Sequence, residues 1–199
     1  MTVLISGGGI AGLTMGLTLH QIGVPFHIFE SVKSPKPLGV GINLQPTAVR
    51  ELMELDLGAM LNQVGIRTRD YGFYTKTGVE IWTEPRGIDA GYNWPQYSVH
   101  RGQLYVALLD TVRQRCGDAC ITTGARVVGF EADNDGVKVT AETNDGLQSV
   151  AGDMLIGADG IHSAIRSQMY PSEGAPVWGG AVMWRGTTLA KPFLSAGSM

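Results

Sequence analysis

Residues 1–17, MTVLISGGGIAGLTMGL, decide the fold of this chain. Residues 2–5 are apolar and mostly β-branched, which is typical of a strand buried inside a sheet. Apolar side chains then recur at helical spacing from Ile10 to Leu17 and predict a helix with one buried face. Glycine is a poor helix former, so the glycines between these two elements need a physical reason.

A bound diphosphate supplies that reason, because Gly7, Gly9 and Gly12 fit the pattern G-x-G-x-x-G. Residues 24–29 predict a second strand, which ends at Glu30. A carboxylate there accepts hydrogen bonds from both hydroxyls of an adenosine ribose and repels a 2′-phosphate, which argues against bound NADP. The alternative is a glycine-rich turn beside a solvated acid, and the complete βαβ context favours dinucleotide binding over it.

Composition excludes several other classes of protein. The chain has 199 residues, of which 44% are hydrophobic and 17% charged, with a net charge of −3. These values are typical of a globular protein and give no reason to expect a nucleic acid or membrane partner. Since neither a signal peptide nor an apolar run of about 20 residues is evident, we expect a cytoplasmic protein. The cysteines and histidines show no metal-ligand spacing, so no metal is expected.

The rest of the chain predicts a mixture of helices, hairpins and strands. The expected elements are a helix opening at Pro46 and ended by Gly58, a hairpin over residues 71–83, a helix over residues 104–112, a meander over residues 126–151, a strand at 154–156, a short helix over 161–169 and a strand at 177–190. These antiparallel additions distinguish the chain from a plain Rossmann dehydrogenase domain.

Several stretches together resemble the FAD-dependent aromatic-ring monooxygenases, the group that includes p-hydroxybenzoate hydroxylase. The stretches are DMLIGADGIHSAIR (153–166), GVGINLQPTAVRELMELDLG (39–58), YSVHRGQLYVALLD (97–110), EPRGIDAGYNWPQYSVHRGQL (84–104) and MWRGTT (183–188). The likeness is greatest to the phenazine-modifying members and covers essentially the whole chain. It implies an α/β, Rossmann-like FAD-binding fold of the glutathione-reductase type, with a β-meander and part of an antiparallel substrate-domain sheet.

The resemblance also implies which residues contact FAD. Gly7, Gly9 and Gly12 would hold the diphosphate together with their neighbours Gly8, Ile10 and Ala11, and Glu30 with Ser31 would hold the ribose. Arg101 would lie near the diphosphate. Asp159, Gly160 and Arg166 would belong to a motif that serves both FAD and the pyridine nucleotide. Read from the residues alone, the motif has two interpretations. It places the Asp159 carboxylate at the ligand-binding edge of the sheet, with Arg166 as a forked donor for phosphate, or it is an Asp-Gly turn before a helix with Arg166 solvated. Ser163 could cap that helix or bind a hydroxyl.

Two further sets of residues are candidates for the reacting end of the site. Residues 40–44 are expected to form a loop, in which the backbone N–H groups of Gly41 and Ile42 could approach the isoalloxazine ring, because Gly41 brings no Cβ into the contact. The alternative is an ordinary loop before a helix. Trp178, Met183, Trp184 and Arg185 either line the substrate side or belong to a strand packed in a core. His100 could be a polar lining residue, although an isolated histidine is more often structural.

The implied activity is hydroxylation or oxidative decarboxylation of a small aromatic or phenazine-type substrate, using NADH or NADPH and O2 through a flavin C4a-hydroperoxide. Residues 1–70 and 99–172 would form the FAD-binding domain, and residues 71–98 and 173–199 part of the substrate sheet. Because family members are nearly twice as long, we expect this chain to be an N-terminal part that binds FAD weakly, if at all, and could lack activity on its own. Its partners would then include a C-terminal half or a second copy. The alternatives are a non-catalytic nucleotide-binding remnant and another flavoprotein on this fold.

Overall fold

Twelve strands and five α-helices make up the computed structural model, which describes all 199 residues. The strands are β1 (Val3–Ser6), β2 (Phe26–Glu30), β3 (Gly41–Leu44), β4 (Gly65–Thr68), β5 (Asp70–Tyr74), β6 (Glu80–Pro85), β7 (Gln96–His100), β8 (Ile121–Thr123), β9 (Arg126–Ala132), β10 (Val137–Thr143), β11 (Gly146–Gly152) and β12 (Met154–Gly157). The helices are α1 (Ile10–Gln21), α2 (Pro46–Glu54), α3 (Gly58–Val64), α4 (Arg101–Cys116) and α5 (Ala164–Met169). None of these helices combines the length and apolarity needed to cross a bilayer.

The chain divides into two compact units. The first contains Met1–Lys36 and Leu108–Val182, and the second contains Pro37–Ala107 and Met183–Met199. These boundaries differ from the division into an FAD-binding domain and a substrate sheet that the sequence suggests. That division into functional domains stays a prediction.

A parallel sheet forms the centre of the first unit, with strand order β12-β1-β2-β8. Val3, Leu4 and Ile5 of β1 are at most 1% exposed, because β1 has a strand on each side. Helix α1 packs closely on β2, since a Cβ at Gly16 would lie 2.8 Å from the ring of Phe26. The predicted start of strand, glycine turn and helix is therefore confirmed, with β1 one residue later than expected.

The predicted meander is present in the same unit as the antiparallel sheet β11-β10-β9. Its connections lie at the two Asn-Asp-Gly turns, over residues 134–136 and 144–146. Alternate residues of β9 and β10 turn inward to form one hydrophobic cluster with β1, β2 and α5. The cluster consists of Leu4, Phe29, Ala125, Val127, Val137, Val139, Ala141 and Ile165.

The second unit is built from an antiparallel sheet, β3-β7-β4, and the hairpin β5-β6. Tyr97 of β7 is fully buried between the sheet and its helices. The C-terminal residues extend the hairpin, where the Met199 N–H donates to the Asp70 carbonyl at 3.0 Å. Gly58 was expected to end a helix, but α2 ends at Glu54 and Gly58 begins α3. The chain forms two short helices where one longer helix was expected, because Asp56 takes a positive φ of 56° and interrupts the helix.

The strand expected at residues 177–190 was wrong. This segment contains no strand, and its large side chains are exposed: Val177 by 95%, Trp184 by 94% and Leu189 by 103%. A strand is held by hydrogen bonds to a neighbouring strand, and none lies beside this segment. The alternative interpretation, a strand packed in a core, is wrong for the same reason.

Candidate functional site

A cavity of about 410 Å³ lies in the first unit, at the carboxyl ends of β1, β2 and β12. This is the edge at which open parallel sheets bind ligands. The lining residues are Ser6, Gly7, Gly9, Phe29, Glu30, Ser31, Ala125, Arg126, Val127, Val128, Ala158, Asp159, Gly160, His162 and Ala164. The structure therefore brings the glycine turn, the acid at the end of β2 and the Asp-Gly turn after β12 around one space.

The glycines of the turn serve different purposes. Gly7 has φ +102°, and a Cβ there would lie 2.4 Å from the Ala158 carbonyl oxygen. A Cβ at Gly12 would lie 1.9 Å from the Gly7 carbonyl oxygen, so α1 can approach the turn only with glycine at this position. A Cβ at Gly9, by contrast, would meet no atom within 4 Å. The protein's own packing explains Gly7 and Gly12, whereas Gly9 keeps open a space that the chain itself leaves unfilled.

Helix α1 directs its N-terminus toward this space. Gly9 is the N-cap residue, no side chain caps the helix, and no acidic residue lies in its first turn. The first intrahelical hydrogen bond runs from the Leu13 N–H to the Gly9 carbonyl at 2.9 Å. The N–H groups of Ile10, Ala11 and Gly12 therefore have no partner within the helix. Together with the partial positive charge of the helix end, they form a site for an anion.

Glu30 is fixed in place by backbone donors. Its Oε2 accepts from the Gly8 N–H at 2.8 Å, and its Oε1 accepts from the Val32 N–H at 2.6 Å. The Ser31 hydroxyl donates to Oε1 at 3.3 Å. A Cβ at Gly8 would lie 2.9 Å from the Glu30 Cβ, so the close approach requires glycine. Although Glu30 is only 8% exposed, it lines the cavity and presents an oriented carboxylate.

The Asp-Gly turn after β12 also organises the start of α5. The Asp159 carboxylate accepts from the Ser163 hydroxyl at 2.5 Å and from the Ala164 N–H at 2.9 Å. Ser163 in turn accepts from the Arg166 N–H at 2.9 Å, so it caps the helix as the sequence suggested. Asp159 and Gly160 line the cavity, whereas Arg166 does not and forms an ion pair with Glu173.

The three remaining predicted FAD residues, Gly41, Ile42 and Arg101, belong to the second unit. The loop expected at residues 40–44 was wrong, because Gly41–Leu44 pairs with β7 as strand β3 at the edge of its sheet. The Arg101 N–H donates to the Val40 carbonyl at 2.9 Å. Because hydrogen-bonded and non-hydrogen-bonded pairs alternate between antiparallel strands, the Gly41 N–H points toward the open edge. His100 is structural, since its Nδ1 accepts from the Gln103 N–H at 3.3 Å in the first turn of α4.

Sequence reasoning missed one wall of the cavity, residues 125–128 at the start of β9. The Ala125 N–H donates to the Glu30 carbonyl at 2.9 Å, away from β10. Backbone groups in a strand alternate in direction, so the N–H and C=O of Val127 also point away from β10, toward the cavity. The only feature of the sequence that could have indicated this wall was the place of β9 as the first strand, and therefore an edge strand, of the predicted meander.

The other expected functional groups lie outside this cavity. Trp178, Met183 and Trp184 are 73%, 70% and 94% exposed, and Arg185 contacts only the Met183 sulfur, at 2.8 Å. No group of three or more histidines, cysteines or acids is arranged to hold a metal ion. Both cysteines are free thiols, and burial raises the pKa of Cys120 to about 11.

A family model described as "FAD binding domain" matches residues 1–178. The chain belongs to this FAD-binding domain family. It is 42% identical, over 201 residues, to phenazine 1,6-dicarboxylic acid hydroxylase of Lysobacter antibioticus; the match covers 99% of the chain and 49% of that protein. It is 35% identical to aurachin C monooxygenase/isomerase of Stigmatella aurantiaca, with 94% and 47% covered. The chain thus spans about half the length of the curated relatives it matches.

Solved structures share the fold of this FAD-binding domain. The p-nitrophenol 4-monooxygenase of Pseudomonas putida superposes with a TM-score of 0.74 at 20% identity, covering 84% of this chain and 44% of that one. HpxO of Klebsiella pneumoniae, solved with FAD and uric acid, gives 0.69 at 28% identity, covering 84% and 41%. The expected p-hydroxybenzoate hydroxylase-type fold, with its parallel sheet, is therefore confirmed.

Proposed function

We propose that the cavity of the first unit binds the ADP half of FAD, and that the chain is the FAD-binding part of an FAD-dependent aromatic monooxygenase. The observation that carries this proposal is the open space beside Gly9, which lies at the uncapped N-terminus of α1. A diphosphate fits the chemistry of that end, since it needs both hydrogen-bond donors and positive potential.

Each element around the cavity has one role in holding the cofactor. The N–H groups of residues 9–12 bind the diphosphate, and Gly7 and Gly12 allow the turn that presents them. The Glu30 carboxylate, oriented by the Gly8 N–H, accepts hydrogen bonds from the ribose hydroxyls, with Ser31 beside it. The backbone of Val127 offers one donor and one acceptor to the edge of the adenine base.

The remaining predicted residues are assigned to the rest of the cofactor. Arg101 contacts the diphosphate, and Asp159 and Gly160 hold the turn that closes the cavity. The N–H of Gly41 at the open edge of β3 faces the isoalloxazine ring, with Ile42 next to it in the same strand. Arg166 belongs with Asp159 and Gly160 to a motif that serves both FAD and the pyridine nucleotide. Residues 1–70 and 99–172 form the FAD-binding domain, and residues 71–98 and 173–199 contribute to the substrate sheet.

In the whole protein, bound FAD supplies the redox chemistry that links a nicotinamide nucleotide, O2 and a small aromatic substrate. A relative 42% identical is named for phenazine 1,6-dicarboxylic acid, which favours a phenazine-type or other aromatic acid as substrate. The chain's own residues bind and orient the cofactor and provide no side-chain nucleophile. This fits a reaction in which the cofactor carries the difficult chemistry.

Competitive titration tests the proposal directly. FAD is added to the 199-residue chain, binding is followed by flavin fluorescence anisotropy, and ADP or FMN is then added as competitor. We expect ADP to displace FAD and FMN, which lacks the adenylate, to displace it poorly. Absence of FAD binding up to millimolar concentrations, or binding that ADP leaves unchanged, would overturn the proposal. For the whole protein, NADH oxidation stimulated by a phenazine carboxylate tests the monooxygenase activity, and a rate that the acid leaves unchanged contradicts it.

A further inference from the structure

Three charged side chains line the cavity, and only one of them is without a partner. Glu30 is held by the N–H groups of Gly8 and Val32, and Asp159 is held at the start of α5. The Arg126 side chain forms neither an ion pair nor a hydrogen bond, although Glu142 lies directly opposite it in the register of β9 and β10. Because the Arg126 guanidinium lines the cavity and does not pair with the Glu142 carboxylate, it is available to bind a ligand.

The strand geometry places Arg126 beside the base end of the cavity. Val127 packs its side chain into the hydrophobic cluster and is 6% exposed. Side chains alternate along a strand, so Arg126 and Val128 project from the opposite face, and both line the cavity. A base that pairs with the outward N–H and C=O of Val127 lies in the plane of the sheet. The side chains of its two neighbours then flank one face of that base.

We infer that Arg126 clamps the adenine base of the bound nucleotide by laying its planar guanidinium against the ring. This inference rests on the proposed function, since it assumes that an adenine nucleotide occupies the cavity. Arginine suits the role because its flat, weakly hydrated group stacks on ring faces, whereas the lysine ammonium is a compact and strongly hydrated charge. The clamp makes Arg126 a positioning residue that acts on the base and leaves the diphosphate contacts to α1.

Affinities for ADP and for inorganic pyrophosphate, measured by competition against FAD, test the clamp. Arg126→Ala is expected to weaken ADP binding by about fivefold, the size of an exposed cation–π contact, and to leave pyrophosphate binding unchanged. Arg126→Lys keeps the charge but lacks the plane, so it should lose most of the same affinity. Lys138→Ala, on the neighbouring strand β10, removes one exposed positive charge outside this cavity and serves as the matched control.

The outcomes separate this inference from the proposed function. A wild-type chain that binds neither FAD nor ADP refutes the proposed function and the clamp together. If wild type binds ADP and Arg126→Ala binds it equally well, the clamp is wrong and the cofactor site stands. An equal loss of ADP and pyrophosphate affinity, or full rescue by Arg126→Lys, shows a simple charge effect and also overturns the clamp.

Discussion

Replacing Gly9 with alanine tests whether the space beside this residue holds a ligand, because the substitution leaves the packing of the protein unchanged. Gly9 has φ −72° and ψ −175°, a backbone conformation that alanine adopts readily, and its new Cβ would meet no protein atom within 4 Å. Gly12→Ala is the matched comparison, because its Cβ would lie 1.9 Å from the Gly7 carbonyl oxygen. Both variants add one methyl group to the same turn, and only one of them collides with the fold.

The expected magnitudes differ accordingly. Gly9→Ala weakens an N-cap position and should lower stability by no more than about 1 kcal/mol. Gly12→Ala forces the backbone apart and should lower the free energy of unfolding by about 1–3 kcal/mol. At about 2–4 °C per kcal/mol for a chain of this size, the thermal midpoint falls by at most about 4 °C in the first case and by up to about 12 °C in the second. In Gly9→Ala the methyl group keeps the phosphates from the helix N–H groups, contacts worth about 1.5–3 kcal/mol, or roughly 10- to 150-fold in affinity.

Two measurements on each variant check this reasoning. Circular dichroism at rising temperature gives the midpoint, and competition against FAD gives the affinity for ADP. Gly9→Ala should melt near the wild type and bind ADP poorly, whereas Gly12→Ala should lose both properties. A folded Gly9→Ala variant that binds ADP like the wild type would contradict these expectations, and so would a midpoint that falls as far as that of Gly12→Ala.

Three further predictions concern the supports of the site and of its sheet. Both Glu30 carboxylate oxygens accept hydrogen bonds from backbone N–H groups, so the new NH2 group in Glu30→Gln must face one of these donors. We expect the free energy of unfolding, measured with urea, to fall by about 1–3 kcal/mol. An unchanged urea midpoint contradicts this. Burial lowers the pKa of His27 below 6.5, so the folded state binds protons less readily than the unfolded state. Stability should therefore fall as pH drops below about 6.5, so the urea midpoint of the wild type should be lower at pH 5.5 than at pH 7.5. The difference between these two midpoints should be smaller in His27→Gln. Ser163→Ala should cost about 1 kcal/mol by loss of the cap on α5, and Ser163→Thr should retain it.

Local patterns explain most of what the sequence predicted correctly. The strand at residues 3–6, the helix from Ile10 and the two Asn-Asp-Gly turns depend on neighbours a few residues away, and all are present. Two of the predictions that failed did so for different reasons. Residues 177–190 have a strand-like composition, but a strand also needs a partner, which composition does not reveal. Gly58 begins α3 because the chain turns at Asp56, a positive-φ position that no sequence pattern marked.

The sequence by itself determined the βαβ start, the glycine turn and the acid that ends β2, because backbone preference and hydrophobic periodicity act over short stretches. Only the tertiary structure decided what surrounds the cavity. Only the folded chain forms the hydrogen bond from the Gly8 N–H to Glu30, which lies 22 residues away. It also places Arg126 of β9 at the cavity and pairs the Asp159 carboxylate with the N–H group of Ala164 in α5. Such contacts depend on which buried faces meet when distant segments pack, and that choice is made by the whole fold.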